Sequence, residues 1–184
     1  MFIQTETTPN PQSLKFLPGR AVLGDDKAEY RSADEASASP LAERLFALPG
    51  VSAVFLGSDF ITVTKSGGEW QHIKPAILGA IMEHFTSGMP VLRNAPSDDT
   101  GDEFFADEDG ETVATIKELI ETRVRPAVAQ DGGDITFRGF RDGVVFLNMR
   151  GSCAGCPSST ATLKHGIENL LRHFVPEVRE IQEA

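Results

Sequence analysis

Residues 94–111 read NAPSDDTGDEFFADEDGE, a stretch that no hydrophobic core can absorb. It holds eight acids (Asp98, Asp99, Asp102, Glu103, Asp107, Glu108, Asp109 and Glu111) and no lysine or arginine. Such a run repels itself and, lacking an apolar period, has no face to bury. It reads as an acidic linker over residues 91–110. The chain is thereby limited to two small domains, 1–90 and 111–184, of about 90 and about 74 residues, each within the usual range for a small domain. Phe104 and Phe105 break the pattern and are candidates for docking on a domain or a partner. Without these eight acids the net charge of −10 falls to −2.

The acidic balance speaks against a nucleic-acid partner, which would need a basic face. No apolar run approaches the roughly 20 residues that cross a bilayer, so no membrane span is expected. The opening residues, MFIQTETTPNPQ, have neither a basic patch nor a long apolar stretch, and predict neither a secretory signal nor a transit peptide. Two cysteines are too few for a secreted disulfide framework. The expected compartment is a reducing cytoplasm, bacterial and of alphaproteobacterial type. The mitochondrial matrix is reserved for the case in which a transit peptide is missing from this chain.

Both halves mix strand and helix signals, which predicts an α+β class: small sheets packed with helices. In the first half FIQTE and SLKFLP read as strands around the turn Pro9-Asn10-Pro11. Residues 24–38 read as a polar loop. Ser39-Pro40 opens a helix, with Ser39 as N-cap, and Gly50 ends it. VSAVFLGSDFITVTK reads as two strands around Gly57-Ser58-Asp59. A helix over about 71–85 carries Ile73, Ile77, Ile81 and Phe85, with Pro75 tolerated in its first turn. His72 and His84 read as surface or packed residues rather than ligands.

In the second half Val113, Ile116, Ile120 and Val124 predict a helix over about 112–125 that Pro126 interrupts. Asp131-Gly132-Gly133-Asp134 reads as a turn into the strand ITFRGF. Asp142-Gly143 has hairpin chemistry, and VVFLNM is the return strand. Pro157 opens a long helix whose inner side holds Thr160, Leu163, Ile167, Leu170, Leu171 and Phe174. Pro176 stops it before a last strand. The predicted order is α-β-β-α-β.

The candidate chemistry sits in GSCAGCPSST, residues 151–160, which contains the only two cysteines of the chain. Cys153 and Cys156 fall between a strand and a helix N-terminus, where unpaired amides and the helix dipole favour thiolates. Arg150 and Lys164 could add positive charge, and Gly151 and Gly155 let amides approach the sulfurs. Space-filling thiols fit such a glycine-framed entry poorly. A thioredoxin-like thiol–disulfide oxidoreductase also places CxxC between strand and helix. Such a fold, however, needs a further crossover and hairpin after the active-site helix, and only 28 residues follow Cys156. The favoured reading is a metal half-site. Zinc and iron–sulfur centres want four soft ligands, the chain offers two, and a twofold axis supplies the other two. Spacing alone leaves zinc and iron–sulfur both open. Asp131 and Asp134 suit the turn better than soft-metal ligation.

The second half resembles the C-terminal domain of NifU, as found in Nfu-type iron–sulfur cluster scaffold and carrier proteins. The resemblance rests on Val124-Arg125-Pro126, on DGGDI at 131–135, and above all on GSCAGCPSSTATLKHGIENLL at 151–171. The first half is similar to the domain that precedes it in mitochondrial and alphaproteobacterial members, through TPNPQSLKFLPG (8–19), SPLAERLFALPGV (39–51) and FLGSDFITVTK (55–65). The resemblance implies that Cys153 and Cys156 ligate a [4Fe–4S] cluster bridging a homodimer, with [2Fe–2S] as the other occupant. It implies no enzymatic activity. The cluster would be accepted from upstream assembly proteins and delivered to apo iron–sulfur enzymes. The first half is expected to recruit partner proteins.

Overall fold

The computed structural model describes residues 2–93, 103–152 and 157–183, and of 157–162 only the backbone. The chain divides into two compact units, Met1–Ser97 and Asp98–Ala184, each with its own hydrophobic core. The class is α+β.

Period-two apolar residues build the sheet of the first unit. β1 (Gln4–Thr7), β2 (Ser13–Leu17), β3 (Ala28–Tyr30), β4 (Val51–Leu56) and β5 (Ile61–Lys65) pair antiparallel in the order β1-β2-β5-β4-β3. Leu14 and Phe16, Val54 and Leu56, and Ile61 and Val63 alternate along their strands, and all are buried in one cluster. Strand geometry puts such alternate residues on one face. That cluster also takes Leu41 and Leu45 from α1 (Pro40–Phe46) and Ile73, Ile77 and Ile81 from α2 (Trp70–Ser87). α1 starts as its sequence predicts. Pro40 holds the first helical position, and the Ser39 hydroxyl accepts from the Ala42 amide at 3.1 Å.

Two readings of this half need correction. Residues 24–38 are not all loop: they contain β3 and a short 3-10 turn, Glu35–Ala38. Tyr30 and Ala36 anchor them in the core from a mostly polar context. Pro75 lies in the second turn of α2, because the helix already begins at Trp70. The helix tolerates it there because Gln71, whose carbonyl loses an amide partner, is exposed to water.

The second unit follows the predicted α-β-β-α-β order. A helical run comprises α3 (Gly110–Leu119), a π-helical turn (Ile120–Val124) and α4 (Arg125–Gln130). β6 (Gly133–Arg141) and β7 (Val144–Gly151) form an antiparallel hairpin, α5 (Pro157–Phe174) crosses over, and β8 (Glu180–Glu183) pairs parallel with β7. The hairpin turns on Asp142 (φ 52°) and Gly143 (φ 79°), the left-handed pair that a two-residue hairpin demands.

Pro126 does not end the helix as expected. The preceding turn widens to the π form, which gives the proline ring room, and Pro126 sits in the first turn of α4, where its missing amide costs little. Phe174 is 45% exposed rather than part of the inner face. The core position at that end belongs to Val175, four residues after Leu171, while the Phe174 ring lies 5.1 Å from the Arg123 guanidinium. The side chain of Thr160 lies outside the described residues.

The acidic stretch is anchored at both ends. On the first unit, the Ser39 hydroxyl donates to the Val91 carbonyl at 2.6 Å, and Arg93 pairs with Glu43 at 2.6 Å. On the second, Phe104 forms a bridge to Gly139. Residues 94–102, with Asp98, Asp99 and Asp102, lie outside the described residues.

Candidate functional site

The CxxC motif lies in the sequence between β7 and α5. Cys153 and Cys156 themselves lie outside the described residues, but the frame that carries them is defined. β7 ends at Gly151 with φ 67°, a left-handed conformation that glycine takes at no steric cost. Ser152 follows, 2% exposed. Its amide donates to the Gly132 carbonyl at 3.4 Å, and its hydroxyl donates to the Asp131 carbonyl at 2.5 Å. The residue immediately before Cys153 is thus pinned to the loop that joins α4 to β6. Gly132, with φ 81°, makes that loop tight enough to reach.

One layer further in, Asp134 ties the start of β6 to the helices. Its carboxylate accepts two parallel hydrogen bonds from Arg125, Nε at 3.0 Å and Nη2 at 3.1 Å, and Arg125 Nη1 also meets Glu121 at 2.6 Å. Burial alone would lower the Arg125 pKa, but the Asp134 and Glu121 carboxylates outweigh it and hold it above its ordinary value. The guanidinium is therefore a permanent charge behind the loop. In the ladder Asp134 stands opposite Arg150.

These contacts revise the reading of DGGD. Of its glycines, Gly132 takes a left-handed angle, whereas Gly133 already belongs to β6. Asp134 is likewise a strand residue, and its carboxylate is committed to Arg125. Ser152 and Arg125 belong to the motifs that carry the family resemblance, yet neither was expected to build the frame. Their sequence trace is faint: a serine before the first cysteine, and an arginine nine positions ahead of an acid in a glycine turn.

Among the described residues, no three His, Cys, Asp or Glu side chains gather as a metal site. His165 and His173 are exposed on α5. The donors the chain brings to this loop are soft and two in number, half of a four-thiolate shell. After α5 the described residues of the unit add β8, in a three-stranded sheet ordered β6-β7-β8. Among the described residues no helix is long and apolar enough to cross a membrane.

Comparison with known proteins agrees with this architecture. Residues 3–88 match the family model described as scaffold protein Nfu/NifU N terminal, and residues 116–182 match that of the NifU-like domain. The chain is 52% identical over 187 aligned residues to a Drosophila ananassae protein named NFU1 iron-sulfur cluster scaffold homolog, mitochondrial, with all of this chain and 64% of that protein covered. The like-named Drosophila virilis protein is also 52% identical, again over all of this chain and over 62% of its own length. Among solved structures, a NifU-like protein from Saccharomyces cerevisiae is 31% identical, with a TM-score of 0.47, covering 52% of this chain and 87% of that one.

The expectation of a bacterial cytoplasm does not stand, because these relatives are named as mitochondrial. The chain spans less than two thirds of their length, so its first residues do not bear on the compartment. An Nfu N-terminal domain followed by a NifU-like domain, in one chain that aligns throughout with NFU1 homologues, shows that the chain belongs to the Nfu family of NifU-related scaffold proteins.

Proposed function

We propose that this protein is an iron–sulfur cluster scaffold and carrier, not an enzyme. Cys153 and Cys156 of two identical chains together hold one [4Fe–4S] cluster, received from upstream assembly proteins and passed to apo iron–sulfur proteins. The observation that carries this reading is the donor set: two thiols and no others in the chain, on a strand-to-helix loop whose base is clamped by Ser152 and Arg125–Asp134. A closed four-ligand cage in one chain would bind more firmly and release less easily. A shell split between two chains loses half its thiolates whenever the pair separates, which gives the cargo a route out. The family names support the iron–sulfur cargo.

Anaerobic reconstitution tests the proposal. The loaded protein should be brown and carry about two iron atoms per chain with matching acid-labile sulfide, because a [4Fe–4S] cluster takes four thiolates. Cys153→Ser and Cys156→Ser should each lose nearly all of it, since a twofold axis deletes two ligands at once, while the far-UV spectrum stays native. A colourless protein that reduces insulin disulfides would assign the motif to thiol–disulfide exchange instead.

A further inference from the structure

The end of the acidic stretch sits on the second unit in the manner of a bound peptide. Phe104 makes a parallel bridge to Gly139 on β6. Its amide donates to the Arg138 carbonyl at 3.1 Å, and its carbonyl accepts from the Phe140 amide at 2.8 Å. β6 is shaped for this contact. Its register on β7 shifts between Phe137 and Gly139, so Arg138 is an extra residue in a bulge, and its carbonyl is presented to the added segment.

Gly139 is the floor of an aromatic slot: a Cβ there would stand 2.4 to 2.6 Å from carbons of the Phe104 ring. Phe146 forms one wall, its centroid 5.1 Å from that of Phe104, and the Arg141 guanidinium lies 5.4 Å from the same ring. One residue earlier, Glu103 pairs with Lys117 Nζ at 2.6 Å. Main-chain bonds to a sheet edge, a side-chain slot and a cation beside it are the parts of strand-addition peptide recognition.

We propose that this slot recognises an extended segment of a partner protein in which an acidic residue directly precedes an aromatic one, and that Glu103-Phe104 occupy it in cis until such a segment displaces them. The occupant present defines the ligand chemistry, and Lys117 and Arg141 complement its charge. The cis grip is exchangeable. Phe104 keeps 37% of its surface exposed, and the Glu103–Lys117 pair is open to water. Phe105, next along the segment, is exposed. The slot lies about 20 Å along β6 from Gly133, at about 3.3 Å a residue. The inference stands whether or not the loop carries a cluster.

A tethered segment competes at an effective concentration of about millimolar, so emptying the slot should unmask it. The test titrates a fluorescently labelled peptide of residues 101–109, GDEFFADED, into the full chain and follows anisotropy. Phe104→Ala should bind the peptide saturably, and wild type should bind it at least about tenfold more weakly because its slot is filled. In the Phe104→Ala background, Lys117→Glu should weaken binding by about tenfold, and Gly139→Ala should abolish it. If Phe104→Ala does not fold, Glu103→Lys empties the slot through charge and takes its place. Absence of binding to the emptied protein, equal binding to both proteins, or binding indifferent to Lys117→Glu would overturn the proposal. Concentration-dependent dimerisation of wild type that Phe104→Ala abolishes would assign the slot to exchange between copies and overturn the partner reading.

Discussion

Asp134 shows only 2% of its side chain to solvent, yet it carries a charge that two guanidinium nitrogens of Arg125 meet. Removing Asp134 takes two charge-assisted hydrogen bonds from Arg125, which keeps Glu121 and a 24% exposed side chain. Asp134→Ala should therefore cost about 2 kcal/mol, read from the urea midpoint of the second unit. Glu121, 59% exposed, should cost less than about 1 kcal/mol when changed to alanine. His84 makes the opposite kind of residue-scale claim. It is fully buried, and neither ring nitrogen has a hydrogen-bond partner. Burial, and then the charge of Arg44, lower its pKa below 6.5 against a smaller opposing effect of the Met89 backbone. The folded state thus binds its proton less readily than the unfolded state. The stability so conferred is complete above the unfolded value of about 6.5 and is lost as pH falls through the lowered folded value. Acid should weaken the first unit with a slope from this residue of at most about 1.4 kcal/mol per pH unit. His84→Leu should flatten that slope in urea titrations across the range. Sequence could mark Cys153 and Cys156 because the chain has no other thiols. It could not mark the Arg125–Asp134 pair or the fate of His84, because both depend on which neighbours the fold delivers.

Periodicity carried most of the information about elements. The stripes of α2 and α3, the Asp142-Gly143 hairpin and the Ser39-Pro40 helix start are local patterns, and local patterns survive without tertiary knowledge. What escaped them depends on packing. The helix runs on past Pro126 through a π turn, β3 hides in a polar segment with Tyr30 as its anchor, and Phe174 leaves the core because Val175 takes the place it was expected to fill. The Ser39 cap serves two elements at once. Its hydroxyl accepts from Ala42 and donates to the Val91 carbonyl, joining α1 to the chain that returns from α2. Ser39→Ala should cost about 2 kcal/mol, the upper end for an N-cap, because the Val91 carbonyl also loses its donor. Chemical denaturation of the full chain, with circular dichroism as the probe, measures it.

For the whole molecule, the acidic stretch was the informative feature: its eight acids, with no lysine or arginine among them, fall where one compact unit gives way to the next. Its second end was less legible, because the docking of Phe104 needs a glycine and a bulge more than 30 residues further along the chain. Residues 103–184 should therefore make a better isolated fragment than 111–184, with a higher urea midpoint, since only the longer piece keeps the Phe104 bridge and the Glu103–Lys117 pair. The central claim is that one cluster belongs to two chains. It is tested by anaerobic sedimentation of the reconstituted 184-residue chain, followed through the visible absorbance of the cluster. All of this absorbance should move at twice the 19.9 kDa mass of the chain, and it should vanish in Cys153→Ser. Cluster absorbance moving with a single chain, or a Cys153→Ser protein with unchanged absorbance, would contradict it.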